Sequence, residues 1–413
     1  VVLRRGANLD DAKGLNRRVA FEAIYRNGPI SRNDVAARMQ VTPQTVSNIV
    51  SEFEPYGLID ERPVHTGKKG KPAREYSIHP NSILNIGLHI DQHRVSALLT
   101  NVAGEDFGRQ SAPLANQDPG YVEGVAAKVV EALVHADPSY RSSLLGVGVA
   151  MPGIFQDGVF LSGNALTMTN WKGHPLAQTL SERLGLPVFV ENDATAAAIG
   201  EGLFGQARNV ASYVFFYFGM GLGGGLMING TQYVGAHNRS AEIGHMIVDP
   251  GGKDCPCGNK GCLERYVSLF SAYQAITESE TEFEAVPPKA ISDAFLSGDK
   301  RLKAWSEAAA MHLYTAINIV QNVIDPEAIY LGGQLPHELL NALAGSVMER
   351  HRTSQTDPDN SARLRLEVVG GDVARGAAAL PLSTLLNPPV NGHTGLDYVR
   401  PTDGASLYNL LSG

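Results

Sequence analysis

Cysteine is scarce: the 413 residues hold three, Cys255, Cys257 and Cys262, all inside one eight-residue stretch. An odd number so closely spaced excludes the disulfide framework that staples small secreted domains. Charge is also sparse, at 18% Asp, Glu, Lys and Arg against 43% hydrophobic residues. That balance excludes a disordered chain and allows a large buried core. One long uncharged stretch, Val210 to Ile228, carries Gly219, Gly221, Gly223, Gly224 and Gly225. Such clustered glycine suits a strand, a glycine turn and a second strand, and argues against a spanning helix. The opening residues VVLRRGANLDDAKGLN are basic but lead into no apolar segment. No export signal is read there, so the cytoplasm is the expected compartment, with no membrane insertion. Short-period repeats and low-complexity tracts are absent too.

The length fits two or three domains. Net charge is −8 but unevenly spread. Residues 1–80 hold 13 Lys and Arg against 9 Asp and Glu, a net of +4; the totals of 34 and 42 leave 21 basic and 33 acidic residues beyond, a net of −12. A basic head on an acidic body hints at a polyanionic partner for the head.

The head reads as three helices and a ribbon. Residues 14–27 have helical periodicity, with Leu15, Val19, Ala23 and Ile24 or Phe21 inward, and Gly28-Pro29 stops them. Ser31 and Asp34 have capping-box spacing at the start of a second helix. Thr42 is the expected N-cap of a third, with Pro43 at its first position and Val46, Ile49, Val50 and Phe53 on one face. Leu58 to Ile78 reads as two strands around the basic tip HTGKKGKPAR. This order is a winged helix-turn-helix. Its third helix would lie in the DNA major groove, bringing Thr42, Gln44, Thr45, Ser47 and Asn48 to base edges. Lys68, Lys69, Lys71 and Arg74 on the wing would meet phosphates or the minor groove.

Beyond about residue 83, apolar strands such as Ile86–Ile90, Leu145–Ala150, Pro187–Val190, Tyr213–Phe218 and Ala328–Leu331 alternate with helical stretches, an α/β pattern. Two rounds of it predict a two-lobed body. The tail from about Asn387 reads as loop-rich. Expected boundaries are 1–80, 83–390 and 391–413.

The segment HMIVDPGGKDCPCGNKGC brings His245, Cys255, Cys257 and Cys262 within 18 residues. One imidazole and three thiolates are a sound tetrahedral set for structural Zn2+.

AEIGHM (241–246), CPCGNKGCLE (255–264) and ENDATAAAIGE (191–201) together resemble the ROK family of repressors, open-reading-frame products and sugar kinases. The head resembles the helix-turn-helix of its sugar-responsive repressor branch. The resemblance implies a two-lobed actin-like ATPase (ribonuclease H-like) sugar-kinase fold behind a winged helix-turn-helix. It also implies a homodimer or homotetramer on a palindromic operator in double-stranded DNA. A sugar effector is implied on Asn192, Asp193, Glu242, His245 and Glu264, with Gly153 and Asn164 matched more loosely. Asp193 corresponds to the general base of the kinases, and by position it also suits the N-cap of the helix that follows it.

The first phosphate loop of those kinases reads D-x-G-G-T. Here IGLHIDQHRVSALL puts His89 in place of the Asp, Asp91 and Gln92 in place of the glycines, and His93 in place of the Thr. Glycine permits close backbone approach to phosphate, whereas the Asp91 carboxylate would repel it. FGMGLGGG (218–225) keeps its glycines but has Met220 where Thr is usual, and LGGQL (331–335) is partly kept. The expectation is therefore a sugar-sensing repressor without catalysis, Asp193 being a vestigial base. An ATP-dependent sugar kinase with a DNA-binding head is the alternative.

Overall fold

Side-chain caps set the helix starts of the head. The computed structural model describes residues 9–64, 73–163, 169–277, 288–354, 363–387, 397–399 and 407–412. Helix α1 (Leu9–Asn27) precedes the short strand β1 (Ile30–Ser31) and helix α2 (Arg32–Met39). Ser31 Oγ accepts the Asp34 amide and donates to the Asp34 carboxylate at 2.6 Å, which fixes where α2 begins. Helix α3 (Pro43–Phe53) starts at Thr42, whose Oγ1 accepts the Thr45 amide at 3.1 Å. Strands β2 (Ile59–Val64) and β3 (Ala73–Ile78) form the antiparallel ribbon, and β1 adds to β3. Ile24, Ile30, Val35, Val46, Val50 and Tyr76 close the small core.

Two expectations for this region change. The first helix begins earlier, at Leu9, and its buried side is Ala20, Phe21 and Ile24, while Leu15 is 47% exposed. The tail is not all loop: Asp397–Val399 is strand β16 and Leu407–Ser412 is helix α14. Leu407, Tyr408 and Leu411 are buried, Tyr408 packs its ring on Phe189, and Arg17 donates to the Leu410 carbonyl at 3.1 Å. The proline and glycine content suggested a loop, but the buried side chains sit beyond it.

The chain divides into two compact units, Val1–Glu191 with Ala377–Gly413, and Asn192–Gly376. The first joins the head to a sheet ordered β16-β10-β7-β4-β5-β6. Its members are β4 (Leu84–Ile90), β5 (Arg94–Asn101), β6 (Asp106–Pro113), β7 (Leu144–Met151) and β10 (Val188–Asn192). Strands β4 and β7 run parallel, while β5 and β6 add antiparallel. Every residue of β7 is buried, as expected of a strand covered on both faces. Helices α4 (Pro119–Val134), α5 (Tyr140–Ser143) and α6 (Leu176–Leu184) and the hairpin β8 (Ile154–Gln156)–β9 (Val159–Ser162) complete it.

The second unit has a sheet ordered β13-β12-β11-β14-β15. It contains α7 (Asp193–Phe204), β11 (Tyr213–Phe218), β12 (Leu222–Ile228), β13 (Thr231–Gln232), α8 (Glu264–Val267), α9 (Leu269–Thr277) and α10 (Pro288–Leu296). The long helix α11 (Lys300–Ile324), β14 (Ala328–Gly333), α12 (His337–Ser354) and β15 (Leu366–Val368) follow; α13 (Val373–Leu386) starts in this unit and belongs to the first from Ala377 onward. Among the described residues, no helix is long and apolar enough to cross a membrane.

Candidate functional site

On the head, α3 buries Val46, Ile49, Val50 and Phe53 and turns its other side outward. Gln44 and Asn48 are exposed and linked, Gln44 Nε2 donating to Asn48 Oδ1 at 3.0 Å. Thr42 Oγ1 is committed to the cap and lies 2.9 Å from Thr45 Oγ1. Ser47 Oγ donates to the Pro43 carbonyl and accepts from Arg32 Nη1 at 3.0 Å. Arg32 is thus a cation beside α3 that sequence reasoning missed; its one signal was a basic residue directly after the Ser31 cap. Arg74 pairs with Glu61 across the ribbon. Lys68, Lys69 and Lys71 lie outside the described residues.

In the second unit, His245, Cys255, Cys257 and Cys262 bring four ligand atoms within 4.8 Å of one another. Cys257 Sγ lies 3.6 Å from Cys262 Sγ, and Cys255 Sγ lies 3.8 Å from His245 Nδ1. An ion with metal–sulfur bonds of about 2.3 Å in tetrahedral geometry has edges of about 3.7 Å, so the donors fit one metal ion. Burial pushes the Cys255 and Cys262 thiols up, while the Asn259 amide pulls Cys257 down. A cation among them would supply the charge that keeps all three ionised. The loop is tied by Tyr266, whose hydroxyl donates to Asp249 at 3.0 Å and accepts the Lys253 amide at 2.8 Å. At Gly261, with φ +74°, a Cβ would sit 1.8 Å from the Asp249 carbonyl oxygen, so only glycine closes this turn.

Two carboxylates, Glu242 and Glu264, which the resemblance implied for a sugar effector, border the cluster. Cys255 Sγ donates to Glu264 Oε1 at 3.0 Å, and that oxygen lies 3.6 Å from His245 Nδ1. His245 Nε2 lies 3.9 Å from Glu242 Oε2. Nδ1 of the ring is thus on the side of Cys255 and Glu264 and Nε2 on the side of Glu242.

Asn192 and Asp193 start α7. The cap is Asn192, not Asp193: Asn192 Oδ1 accepts the amides of Ala194 at 3.0 Å and Thr195 at 3.4 Å. Asp193 is the first helical residue and its Oδ1 accepts the Ala194 amide at 2.9 Å. Both carboxylate and amide side chain are half-buried. Gly153, in the first unit, has φ +147°, and a Cβ there would meet the Phe160 ring at 2.4 Å. Its loop therefore has a packing reason for glycine. Asn164 lies outside the described residues.

The glycines of residues 218–225 also have packing reasons. A Cβ at Gly225 would lie 2.3 Å from the Ala198 Cβ and one at Gly223 would lie 2.6 Å from that of Ala194, so the glycine backbone of β12 packs directly on the alanine methyls of α7. Gly221 leaves room for Glu264, whose Oε2 would be 3.0 Å from a Cβ. In the β4–β5 hairpin, Asp91 Oδ1 accepts the amides of His93 at 2.7 Å and Arg94 at 2.9 Å. His89 pairs with Ser96 within the ladder.

Comparison with known proteins gives this arrangement a family. The xylose repressor of Caldicellulosiruptor bescii is 27% identical over 340 residues, covering 78% of this chain and 84% of that repressor. The Escherichia coli K12 protein described as the DNA-binding transcriptional dual regulator NagC is 25% identical over 396 residues, covering 92% and 95%. A solved ROK family transcriptional regulator, a homologue of the E. coli MLC protein, superposes with a TM-score of 0.75 at 25% identity over 91% of this chain and 97% of that one. A ROK glucokinase of Streptomyces griseus shares the two-lobed actin-like fold, with a TM-score of 0.60 at 24% identity, over 72% of this chain and 98% of its own. The ROK family model itself matches residues 85–382. Together with the geometry above, that match places this chain in the ROK family.

Proposed function

We propose that the chain is a sugar-responsive transcriptional repressor. The winged helix-turn-helix of residues 1–80 binds double-stranded DNA, and the ROK body of residues 83–390 binds a sugar effector without phosphorylating it. The observation that carries this reading is the exposed Gln44–Asn48 pair on α3, on a head that precedes the residues 85–382 matched by the ROK family model. Gln and Asn side chains pair bidentately with adenine in the major groove. Thr45 and Ser47 line the same helix, and Arg32, Arg74 and the wing lysines Lys68, Lys69 and Lys71 supply phosphate contacts. A dimer or tetramer on a palindromic operator follows from the use of such heads in pairs.

The sugar is held by Asn192, Asp193, Glu242, Glu264 and His245, with Gly153 and Asn164 as further contacts. Carboxylates accept pairs of hydroxyls, and a site so built rejects an analogue lacking one because its own polar groups stay unpaired. Zinc on His245, Cys255, Cys257 and Cys262 would pin the loop that presents Glu242 and Glu264. Phosphoryl transfer needs a backbone cradle for the nucleotide phosphates. The β4–β5 turn instead carries the Asp91 carboxylate, spent on its own hairpin amides.

The test is operator binding by the wild type and by Asp193→Ala, with and without a panel of sugars. Asp193→Ala keeps DNA binding and loses the sugar response. Turnover of ATP by the wild type with any sugar of the panel contradicts the non-catalytic reading.

A further inference from the structure

Glu123, on α4 of the first unit, is the one Asp or Glu that is buried among the described residues. An interior carboxylate is costly and persists where it is paired and hydrogen-bonded. Its side chain is 4% exposed, and Oε1 lies 2.6 Å from His174 Nε2. The same oxygen accepts the Thr179 hydroxyl of α6. Glu123 is outside the metal loop, the head and the residues proposed to hold the sugar, so its pairing calls for another reason.

What the pair holds is the foot of the segment that leads from the β8–β9 hairpin into α6. The His174 ring stands edge-on to Trp171, centroids 5.5 Å apart at 85°. Trp171 is fully buried, and its Nε1 donates at 2.8 Å to the carbonyl of Gln117, just ahead of α4. The start of α4 thus grips this foot twice, at Gln117 and at Glu123. Phe160 of β9 packs on Trp171, centroids 6.1 Å apart. Its amide donates to the His174 carbonyl at 3.0 Å, and its carbonyl accepts the Gly173 amide at 2.8 Å. The Phe160 ring also lies against two glycines: a Cβ at Gly153 would be 2.4 Å from it, and one at Gly163 2.6 Å. An unbroken series of contacts therefore runs from Glu123 through His174, Trp171 and Phe160 to Gly153, all within the first unit.

We propose that Glu123 and His174 are positioning residues for the Gly153 turn, and through it for the sugar. The role rests on the sugar contact proposed for Gly153. A glycine offers a ligand only its backbone, so what it can do depends on where that backbone is held. Here the Phe160 ring holds it, Trp171 backs Phe160, and the imidazole edge fixes Trp171. The imidazole is oriented in turn by its bond to a buried carboxylate, and a hydrogen bond to an ionised group in such surroundings is short and strong. Neither Glu123 nor His174 touches the sugar. A binding turn whose supporting side chains are left free loses the geometry that its ligand needs.

Trp171 supplies a readout of its own. It and Trp305 are the two tryptophans of the chain, so in a full-length Trp305→Phe protein the emission comes from Trp171 alone. In that background Glu123→Ala, Glu123→Gln and His174→Gln are compared by emission spectrum, by melting followed with circular dichroism, and by calorimetric titration with a panel of sugars that includes xylose, glucose and N-acetylglucosamine. Glu123→Ala is expected to free the imidazole, move the Trp171 emission to longer wavelength and weaken sugar binding at least about tenfold. His174→Gln keeps a donor for Glu123 but gives Trp171 no ring edge; it melts near the wild-type temperature and shows the same two changes. Glu123→Gln still accepts from His174 and Thr179 and keeps both properties of the wild type. Should Glu123→Ala fail to fold, His174→Gln decides by the same two readouts. Unmoved Trp171 emission, or full sugar affinity, in the folded variants overturns the positioning role alone. A wild type that binds no sugar of the panel contradicts the sugar site, and the role falls with it.

Discussion

The Cys255 thiol and the Glu264 carboxylate touch, at 3.0 Å between Sγ and Oε1, so a member of the candidate metal cluster and a residue proposed to hold the sugar share one contact. Loss of the metal should therefore be felt by the sugar. Cys262→Ser is expected to abolish binding of about one zinc ion per chain and to weaken the sugar response. Glu264→Gln is expected to keep the metal and lose the response. Metal analysis of the purified variants beside sugar-induced thermal shifts checks both. A Cys262→Ser protein with a full sugar response would separate the two sites.

On the DNA side, Gln44→Ala or Asn48→Ala should cost about 1–3 kcal/mol for the preferred operator and little for unrelated DNA, since each removes a group proposed to read bases. Arg32→Ala should weaken both kinds of DNA alike and lower the salt slope by about 1. Titrations at several salt concentrations distinguish these. Equal losses on both DNAs for Gln44→Ala would remove it from base reading.

The caps of α2 and α3 were legible in the sequence because Ser31–Asp34 and Thr42–Thr45 act within one turn. The metal set was legible for a similar reason, its four ligands lying within 18 residues. What stayed hidden depends on distant partners. Arg32 reaches Ser47 only because α2 and α3 cross. Strand β16 pairs with β10, some two hundred residues earlier, and nothing local in a proline- and glycine-rich tail announces it. The run Gly223–Gly225 read as a phosphate-loop remnant, yet two of its glycines answer to Ala194 and Ala198 of α7. Asp193 looked like the cap because it precedes the alanines, but the extended backbone at Asn192 gives that role to its neighbour.

That helix contact gives a stability prediction. Gly225→Ala must push α7 away from β12, displacing Asn192 and Asp193 with it, and should lower both melting temperature and sugar affinity. Gly345, inside α12, has open space where a Cβ would go. Gly345→Ala should stabilise by about 0.5–1 kcal/mol. Calorimetry of the pair checks the difference in sign.

His312 packs its ring on Tyr266, centroids 4.1 Å apart, and burial holds its imidazole below the ordinary value. The fold thus favours the neutral ring. Its contribution is complete above the unfolded value of about 6.5 and is lost as pH falls through the lower folded value. The melting temperature of the wild type should drop more between pH 7.5 and 5.5 than that of His312→Phe, which keeps the ring contact but cannot be protonated. Equal drops would mean that the imidazole is not a source of acid sensitivity.

A chain that both holds DNA and answers to a sugar must show the two together in fluorescence anisotropy of DNA from its own upstream region, at one fixed salt concentration, titrated with the protein in the presence of each sugar of a panel. Tight binding that one sugar changes at least about tenfold, a differential affinity of about 1.4 kcal/mol between the two conformations, is the predicted result. Binding that no sugar alters, or no binding at all, would contradict it.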